Sequence, residues 1–316
     1  MSADQKIRIR DRVVYIAARA AIGLTARVPQ WLGYRAAALL GRIWFRLDGR
    51  RRRYARKFLG EAYPDLSERE VMRLGSAATA SLFKVPLDMA RLTRLLARGG
   101  DLSEVVDFRA IEREVEGVAR PYFALSGHLG GWEVAAAAMG ALAGEAHGIA
   151  RITKNPLLNG WLARTRGAVG LNIYPRRGGF RDLARAMAQG GVGLQVVDQN
   201  QRLRGVFAPF FGRIASCERA AASLAIRRGY PLVFTAAIRK GVGFRFEMIA
   251  EPSFVPERTG DKAADLYRAV VQINERLERM IRRAPDQYVW IHDRYRTQPS
   301  AADDSAGVEA AGADDA

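Results

Sequence analysis

Cysteine and histidine are scarce in this chain, and their scarcity removes several classes of function. Among 316 residues there are one cysteine, Cys217, and three histidines. A single cysteine excludes an intramolecular disulfide and any metal site built from several cysteines. The sequence around Cys217 favours a buried structural thiol, which is the common state of a free cysteine.

Long uncharged apolar runs are also missing. No stretch approaches the roughly 18–20 apolar residues that a membrane-spanning helix needs. A standard secretory signal is not present either. We therefore do not expect the chain to cross a membrane as a simple span.

Lysine is rare, yet the chain is strongly basic. Six lysines stand against 44 arginines, and the net charge is +17. Residues 299–316 hold five acids and no base, a composition typical of a disordered acidic tail, so residues 1–298 alone carry +22. This excess favours a polyanionic partner, which could be nucleic acid, an anionic membrane, a phosphorylated lipid or an acidic carrier protein.

The N-terminal region, residues 1–60, predicts two helices and a basic segment. Residues 5–47 form two amphipathic patterns broken at Val28-Pro29, each with apolar residues, tryptophan in the second, and arginines at helical spacing. Residues 50–57 are almost entirely basic. Such a region is typical of a helix lying in a membrane interface beside anionic headgroups. Ordinary packing of amphipathic helices on a core stays open as the alternative.

Residues 61–298 predict one α/β domain. A helix over 67–98 begins with a capping-box pattern at Ser67 and Glu70. From residue 120 onward, strand and helix patterns alternate, which favours a mostly parallel central sheet flanked by helices. We predict strands at 121–125, 148–152, 171–174, 192–197, 231–238 and 243–249, and helices at 131–143, 156–168, 179–189, 216–228 and 263–283.

The segment Ser126-Gly127-His128-Leu129-Gly130-Gly131-Trp132-Glu133 is the strongest candidate for an active site. It joins a predicted strand to a predicted helix, with His128 in a glycine-lined turn that could let a substrate approach closely. Glu133, in the first turn of the helix, could fix the imidazole tautomer, so that neutral His128 takes a proton from a hydroxyl. No serine elbow or second metal ligand lies nearby. The pattern therefore indicates direct acyl transfer.

Further candidates follow along the chain. Asp198 ends a predicted strand on the same sheet edge as His128. Asn155 opens a helix that carries Arg164 and Arg166, whose guanidinium groups could stabilise an oxyanion or a phosphate. Arg176 precedes another helix N-terminus, which could bind phosphate. Residues 206–212 contain Phe207, Phe210 and Gly212 in a predicted loop that could form an apolar wall for an acyl chain.

The ordered motifs of the chain resemble those of the bacterial lipid A biosynthesis acyltransferases, within the lysophospholipid acyltransferase superfamily with its His-X4-Asp/Glu motif. The resemblance covers residues 5–298. Its landmarks are residues 56–64, 128–133, 155–157 with Arg166, 197–198, 207–212, and 285–297, the last with the pattern Pro-X-Gln-Tyr-X-Trp-X-His-X-Arg-X-X-Thr.

The resemblance implies His128 as general base with Glu133 as its partner, and Arg166 as a further catalytic candidate. It implies an acyl-acyl carrier protein donor, or acyl-CoA, no cofactor beyond that donor, and a phosphorylated glycolipid acceptor at the cytoplasmic face of the inner membrane. Nucleic acid is then not expected as a partner. A phosphatidylinositol mannoside or a lysophospholipid stays open as the acceptor, and a basic binding protein with a degenerate site stays open as a different class.

Overall fold

The computed structural model describes residues 7–25 and 27–299, and a seven-stranded sheet forms its centre. Strand order is β1-β9-β8-β2-β5-β3-β4; β8 and β9 pair antiparallel, and the other neighbours pair parallel. The sheet strands are β1 (Val106–Asp107), β2 (Phe123–Ser126), β3 (Ala146–Ala150), β4 (Leu171–Pro175), β5 (Val192–Val196), β8 (Leu232–Arg239) and β9 (Phe246–Phe254). A separate antiparallel hairpin is formed by β6 (Val206–Phe210) and β7 (Arg213–Cys217).

Helices cover the sheet and build the N-terminal region. They are α1 (Ile9–Thr25), α2 (Gln30–Leu47), α3 (Gly49–Ala62), α4 (Glu68–Ala97), α5 (Arg109–Val115), α6 (Trp132–Ala143), α7 (Pro156–Gly167), α8 (Gly179–Ala188), α9 (Ala220–Arg228) and α10 (Lys262–Arg283). The predicted fold class, a mostly parallel sheet flanked by helices, is confirmed. No helix within the described residues is both long and apolar enough to cross a membrane.

Alternating side chains of the central strands face two separate hydrophobic clusters. In β2, Phe123 and Leu125 belong to one cluster, together with residues of α10 and the hairpin. Ala124 belongs to the other, with residues of α4 and α6. Because successive side chains of a strand point to opposite faces, an all-apolar strand of this kind is stable only when both faces are covered.

The N-terminal helices differ in how much they contribute to this core. Helix α1 has no buried residue. Helix α2 buries Tyr34 and Phe45, and α3 buries Ala55 and Leu59. Residues 30–62 therefore pack as part of the same hydrophobic body as the sheet, even though the sequence suggested a separate N-terminal region.

Local signals placed several helix ends correctly. The side-chain oxygen of Ser67 accepts from the main-chain N–H of Glu70, and the Glu70 carboxylate accepts from the main-chain N–H of Ser67, so the predicted capping box is present. The basic run lies within α3 and is partly used inside the protein: Arg51 donates to the carbonyl of Ile291 at 3.0 Å, and Arg56 pairs with Glu68.

Two predicted elements were wrong. Residues 206–212 are not a loop, because they form β6 and the turn of the hairpin. The helix predicted over 216–228 begins only at Ala220, since residues 213–217 form the second strand of that hairpin. The predicted acidic tail lies outside the described residues, apart from Pro299.

Candidate active site

Two neighbouring strands bring the central pair of the site together. Strands β2 and β5 are parallel, with Ser126 opposite Val196. His128 and Asp198 each come two residues after these positions, at the carboxyl edge of the sheet. The shared register therefore places the two side chains against each other, at the edge where open α/β sheets bind ligands.

Asp198 holds His128 at two points. Its Oδ1 lies 2.7 Å from Nδ1 of the His128 ring, and its Oδ2 accepts from the His128 main-chain N–H, also at 2.7 Å. Asp198 is buried, and Trp132 packs edge-on against the imidazole with ring centroids 5.0 Å apart. Because the carboxylate can only accept, Nδ1 of His128 carries the proton and Nε2 has a free lone pair in the neutral ring.

The surroundings shift the pKa of both groups. Burial lowers the His128 pKa, but the negative charge of Asp198 and its hydrogen bond outweigh burial, and the net pKa is raised from 6.5. Burial raises the Asp198 pKa, but His128 outweighs it, and the net pKa is lowered from 3.8. An ionised Asp198 beside a basic imidazole is the arrangement that stabilises an imidazolium formed during proton transfer.

The second ring nitrogen of His128 faces outward. The His128 side chain keeps 24% of its surface exposed. Its Nε2 lies 3.2 Å from Nε2 of Gln199, an exposed residue next to Asp198. This nitrogen is therefore the one that can reach a substrate, and Gln199 is a site residue that the sequence reasoning missed.

Glu133 does not orient His128 as the sequence suggested. Its Oε2 instead accepts from Nη2 of Arg166 at 2.9 Å, and both side chains are about one quarter exposed. The charge of Glu133 still contributes to raising the His128 pKa. The reason for the difference is that Glu133 points from the first turn of α6 toward α7, whereas the loop after β5 places Asp198 directly against the ring.

The glycines of the His128 turn also serve a different purpose from the one expected. A Cβ on Gly130, which has φ +59°, would lie 2.1 Å from the carbonyl oxygen of Ala237. A Cβ on Gly131 would lie 2.5 Å from the ring of Phe246. The glycines therefore allow close packing against the protein's own β8 and β9, not the approach of a substrate.

Asn155 and Arg164 do not join the site. Asn155 caps α7 by accepting from the N–H of Leu158, and its amide donates to the carbonyl of Asp11 in α1, so both ends of the side chain are occupied by the protein. Arg164 is exposed and lies two positions from Arg166. Residues two apart point to different faces of a helix, which is why only Arg166 reaches Glu133.

Arg176 lies close enough to the site for its charge to oppose protonation of His128 and lower that pKa. It belongs to a group of exposed cations that follow the carboxyl ends of β3, β4 and β5. We call this group the basic rim; it consists of Arg151, Lys154, Arg176, Arg177, Arg202 and Arg204. None of them forms an ion pair within residues 7–25 and 27–299.

The aromatic segment, residues 206–212, does not form an exposed apolar surface. Phe210 is buried and packs edge-on against Phe211, with centroids 5.0 Å apart. Gly212, with φ +72°, follows Phe211 in the two-residue turn of the hairpin, a position that favours glycine. Of the three aromatic side chains in this segment, only that of Phe207 is partly exposed. Phe210 is therefore packed inside the protein and does not form the expected acyl-chain wall, and Gly212 forms the turn of the hairpin.

A largely apolar cavity borders the ion pair between Glu133 and Arg166. Its volume is about 100 Å³, and it lies between α6 and the sheet. Glu133 and Arg166 border it together with the polar Ser126, Gln195 and Thr235. Apolar side chains line most of the rest, among them Ala124, Ala135, Met139, Ile173 and Leu194.

The C-terminal segment, residues 285–297, holds the loops of the site in place. The main-chain oxygen of Gln287 accepts from the N–H of Gly130, and Tyr288 forms a β-bridge with Leu129. Asn200 and Thr297 exchange two hydrogen bonds of 3.0 Å. The sequence motif does not reveal this role, because these partners are 97 to 159 residues apart in the chain.

Known proteins match this chain along nearly its whole length. The family of bacterial lipid A biosynthesis acyltransferases matches residues 2–297. The lipid A biosynthesis lauroyltransferase of Escherichia coli (strain K12) is 26% identical over 287 residues, 87% of this chain and 89% of that protein. The lipid A biosynthesis palmitoleoyltransferase of the same organism is 28% identical over 149 residues, 46% of each chain. This chain therefore belongs to the bacterial lipid A biosynthesis acyltransferase family and is an acyltransferase.

Proposed function

We propose that this protein transfers a fatty acyl chain from acyl-acyl carrier protein, or acyl-CoA, to a hydroxyl group of a lipid A precursor. One observation carries the chemistry: His128 has its Nδ1 held by the buried carboxylate of Asp198 and its Nε2 directed outward. Such a base can activate a hydroxyl without a covalent enzyme intermediate.

The reaction follows from this geometry. The acceptor hydroxyl donates its proton to Nε2 of His128 as its oxygen attacks the thioester carbonyl carbon. The resulting tetrahedral intermediate collapses with cleavage of the C–S bond, and the thiolate takes the proton from the imidazolium. Asp198 stabilises the positive ring between these two proton transfers.

Arg166 is proposed to assist as a positive charge near the reacting carbonyl or an acceptor phosphate, and Glu133 holds it there. Their contact of 2.9 Å fixes the guanidinium next to the apolar cavity. We propose that this cavity accepts part of the acyl chain, while the remainder lies in the open cleft, because about 100 Å³ is too small for a complete chain.

The basic rim supports the proposal that the substrates are anionic. Its six cations surround the sheet edge that carries His128, and α8 begins beside Arg176 and Arg177 without a side-chain cap at its N-terminus. Uncapped N–H groups and nearby guanidinium groups suit a phosphate. We propose that the rim receives the acceptor phosphate and the acidic surface of the carrier protein.

Attachment to the cytoplasmic face of the inner membrane is proposed to run through α1 and α2. Leu32, Leu39, Ile43 and Leu47 are exposed on one stripe of α2, and arginines line the border of the stripe. Ile9, Val13, Ile16 and Leu24 form a similar exposed stripe on α1. Apolar stripes bordered by arginine suit a membrane interface.

The first test is the variant His128→Ala. We expect it to lose acyl transfer from lauroyl-acyl carrier protein to a purified lipid A precursor, with a drop of at least about 10³-fold in kcat. Mass spectrometry of the product measures transfer, and sedimentation with vesicles checks that the variant still binds membranes. His147→Gln, a buried histidine outside the site, is the matched control. Near-normal turnover by His128→Ala would contradict the mechanism.

A further inference from the structure

We infer that Gln199 is a catalytic residue whose amide N–H binds the carbonyl oxygen of the acyl donor during transfer. The inference rests on the proposed acyl transfer and adds the group that stabilises the developing oxyanion. It starts from one contact, the 3.2 Å between Nε2 of Gln199 and Nε2 of His128.

The direction of this hydrogen bond is fixed by its neighbours. Nδ1 of His128 donates to Asp198, so Nε2 of the neutral ring can only accept. The Gln199 amide is therefore the donor, and it occupies the lone pair that the acceptor hydroxyl needs. The hydroxyl and the amide cannot both use this lone pair, so Gln199 has to turn aside when the acceptor binds.

The backbone around Gln199 leaves only its side chain free to move. Asp198 is held by two hydrogen bonds to His128, and Asn200 by two to Thr297. Gln199 is exposed, and His128 is its one side-chain hydrogen-bond partner within the described residues. A displaced amide therefore stays beside the attacking oxygen.

That position suits an oxyanion donor. When the new C–O bond forms, the carbonyl oxygen of the acyl donor lies next to the attacking oxygen. This carbonyl oxygen is then within reach of the Gln199 amide N–H that had bonded to Nε2 of His128. Arg166 supplies its charge from the border of the apolar cavity, whereas the Gln199 amide lies beside the base itself. Side-chain amides serve as oxyanion donors in acyl transfer, and removing one costs about 10²–10³-fold in kcat.

The test compares Gln199→Ala, Gln199→Glu and the wild type, as full-length protein, with lauroyl-acyl carrier protein and a lipid A precursor. Gln189→Ala, an exposed glutamine at the end of α8, is the matched control. We expect Gln199→Ala to lower kcat about 10²–10³-fold with the acceptor KM unchanged or lower, since the competing amide is gone. Its melting temperature and the pH midpoint of its kcat profile should match those of the wild type, because the amide has already left Nε2 when the acceptor is bound.

Gln199→Glu should lose at least as much kcat, because a carboxylate repels the oxyanion. The pH midpoint of its kcat profile should move to higher pH, because the added negative charge raises the His128 pKa. A Gln199→Ala enzyme within threefold of the wild-type kcat overturns the inference. So does a loss of its activity that comes with a shifted pH midpoint of the kcat profile, because that would mark a residue acting through His128 in the bound complex. A wild-type enzyme that forms no product contradicts the proposed function itself, which separates the two failures.

Discussion

At the level of single residues, the proposed mechanism makes the pH range of activity depend on the pair His128 and Asp198. The carboxylate raises the His128 pKa above 6.5 against the opposing effect of burial. The base must be neutral to accept a proton, so activity should rise with pH through this raised pKa. Asp198 therefore makes His128 a stronger base, but in mildly acidic solution more of His128 is protonated and cannot accept a proton.

Asp198→Asn tests this account. The amide keeps the size of the side chain but removes its charge, so kcat/KM should fall on the order of 10³–10⁴-fold. Without the charge, burial and Arg176 outweigh the smaller effect of Glu133 on the His128 pKa, so the pH midpoint of the residual activity should move to lower pH. A pH profile of kcat/KM measures both effects, with Asp182→Asn, a partly exposed residue of α8, as control. An unchanged limb would contradict the assigned role of Asp198.

The same pair predicts a pH dependence of stability. The raised His128 pKa stabilises the fold below pH 6.5, and this contribution is lost as pH rises through the folded value. The lowered Asp198 pKa stabilises above pH 3.8, and its contribution is lost as pH falls through the folded value. The difference in melting temperature between wild type and His128→Ala should therefore be largest between these two values. A difference that is constant with pH would argue against the ion pair.

At the scale of elements, a buried polar cluster ties α2 and α4 to the sheet. Asp88 of α4 accepts from the hydroxyl of Tyr34 at 2.6 Å and forms an ion pair with Arg239 at the end of β8. Arg239 also donates to Ser81 at 2.8 Å. Asp88 and Arg239 are both almost fully buried, so the cost of burying each charge is offset by the opposite charge of the other.

Asp88→Ala should therefore destabilise the protein by about 3–5 kcal/mol, because it leaves the Arg239 charge buried without a partner. Urea denaturation followed by circular dichroism measures the free energy of unfolding. The double variant Asp88→Leu with Arg239→Met should recover most of this loss, since no unpaired charge remains. Asp65→Ala, an exposed residue before α4, is the control. A loss below about 1 kcal/mol in the single variant would contradict this account.

At the scale of the whole molecule, charge and exposed apolar surface suggest one orientation at a membrane. The net charge is +17, and the exposed stripes of α1 and α2 combine apolar residues with arginine. Deleting these helices is a poor test, because α2 buries Tyr34 and Phe45 in the core. Substitution of the exposed side chains leaves the core intact.

The double variant Leu39→Glu with Ile43→Glu should weaken binding to vesicles that contain anionic lipid at least about 100-fold, since each apolar side chain contributes about 1.5–3 kcal/mol when buried. Sedimentation at several salt concentrations measures it, and binding by the wild type should weaken as salt rises. Val255→Glu, which is exposed in the loop after β9, is the control. Unchanged sedimentation would place the attachment elsewhere.

Features that depend on neighbours close in the chain could be predicted from the amino-acid sequence. Strand and helix periods predicted most elements from β2 to α10 within a few residues. The spacing of Ser67 and Glu70 predicted the capping box at the start of α4. The sequence also determined the family, through motifs in a fixed order. The hairpin at 206–217 was missed because its aromatic residues pack against partners that are distant in the chain, such as Tyr295, whose hydroxyl donates to the carbonyl of Phe210.

Which side chains contact one another in the candidate site depends on the packing of the whole fold. His128 and Glu133 are five residues apart, yet the partner of His128 is Asp198, 70 residues away. The order of the strands makes this choice, because β5 lies beside β2 although two other strands come between them in the chain. Periodicity reports which faces of an element are apolar, whereas strand order depends on how all the elements pack together, and that information is not local.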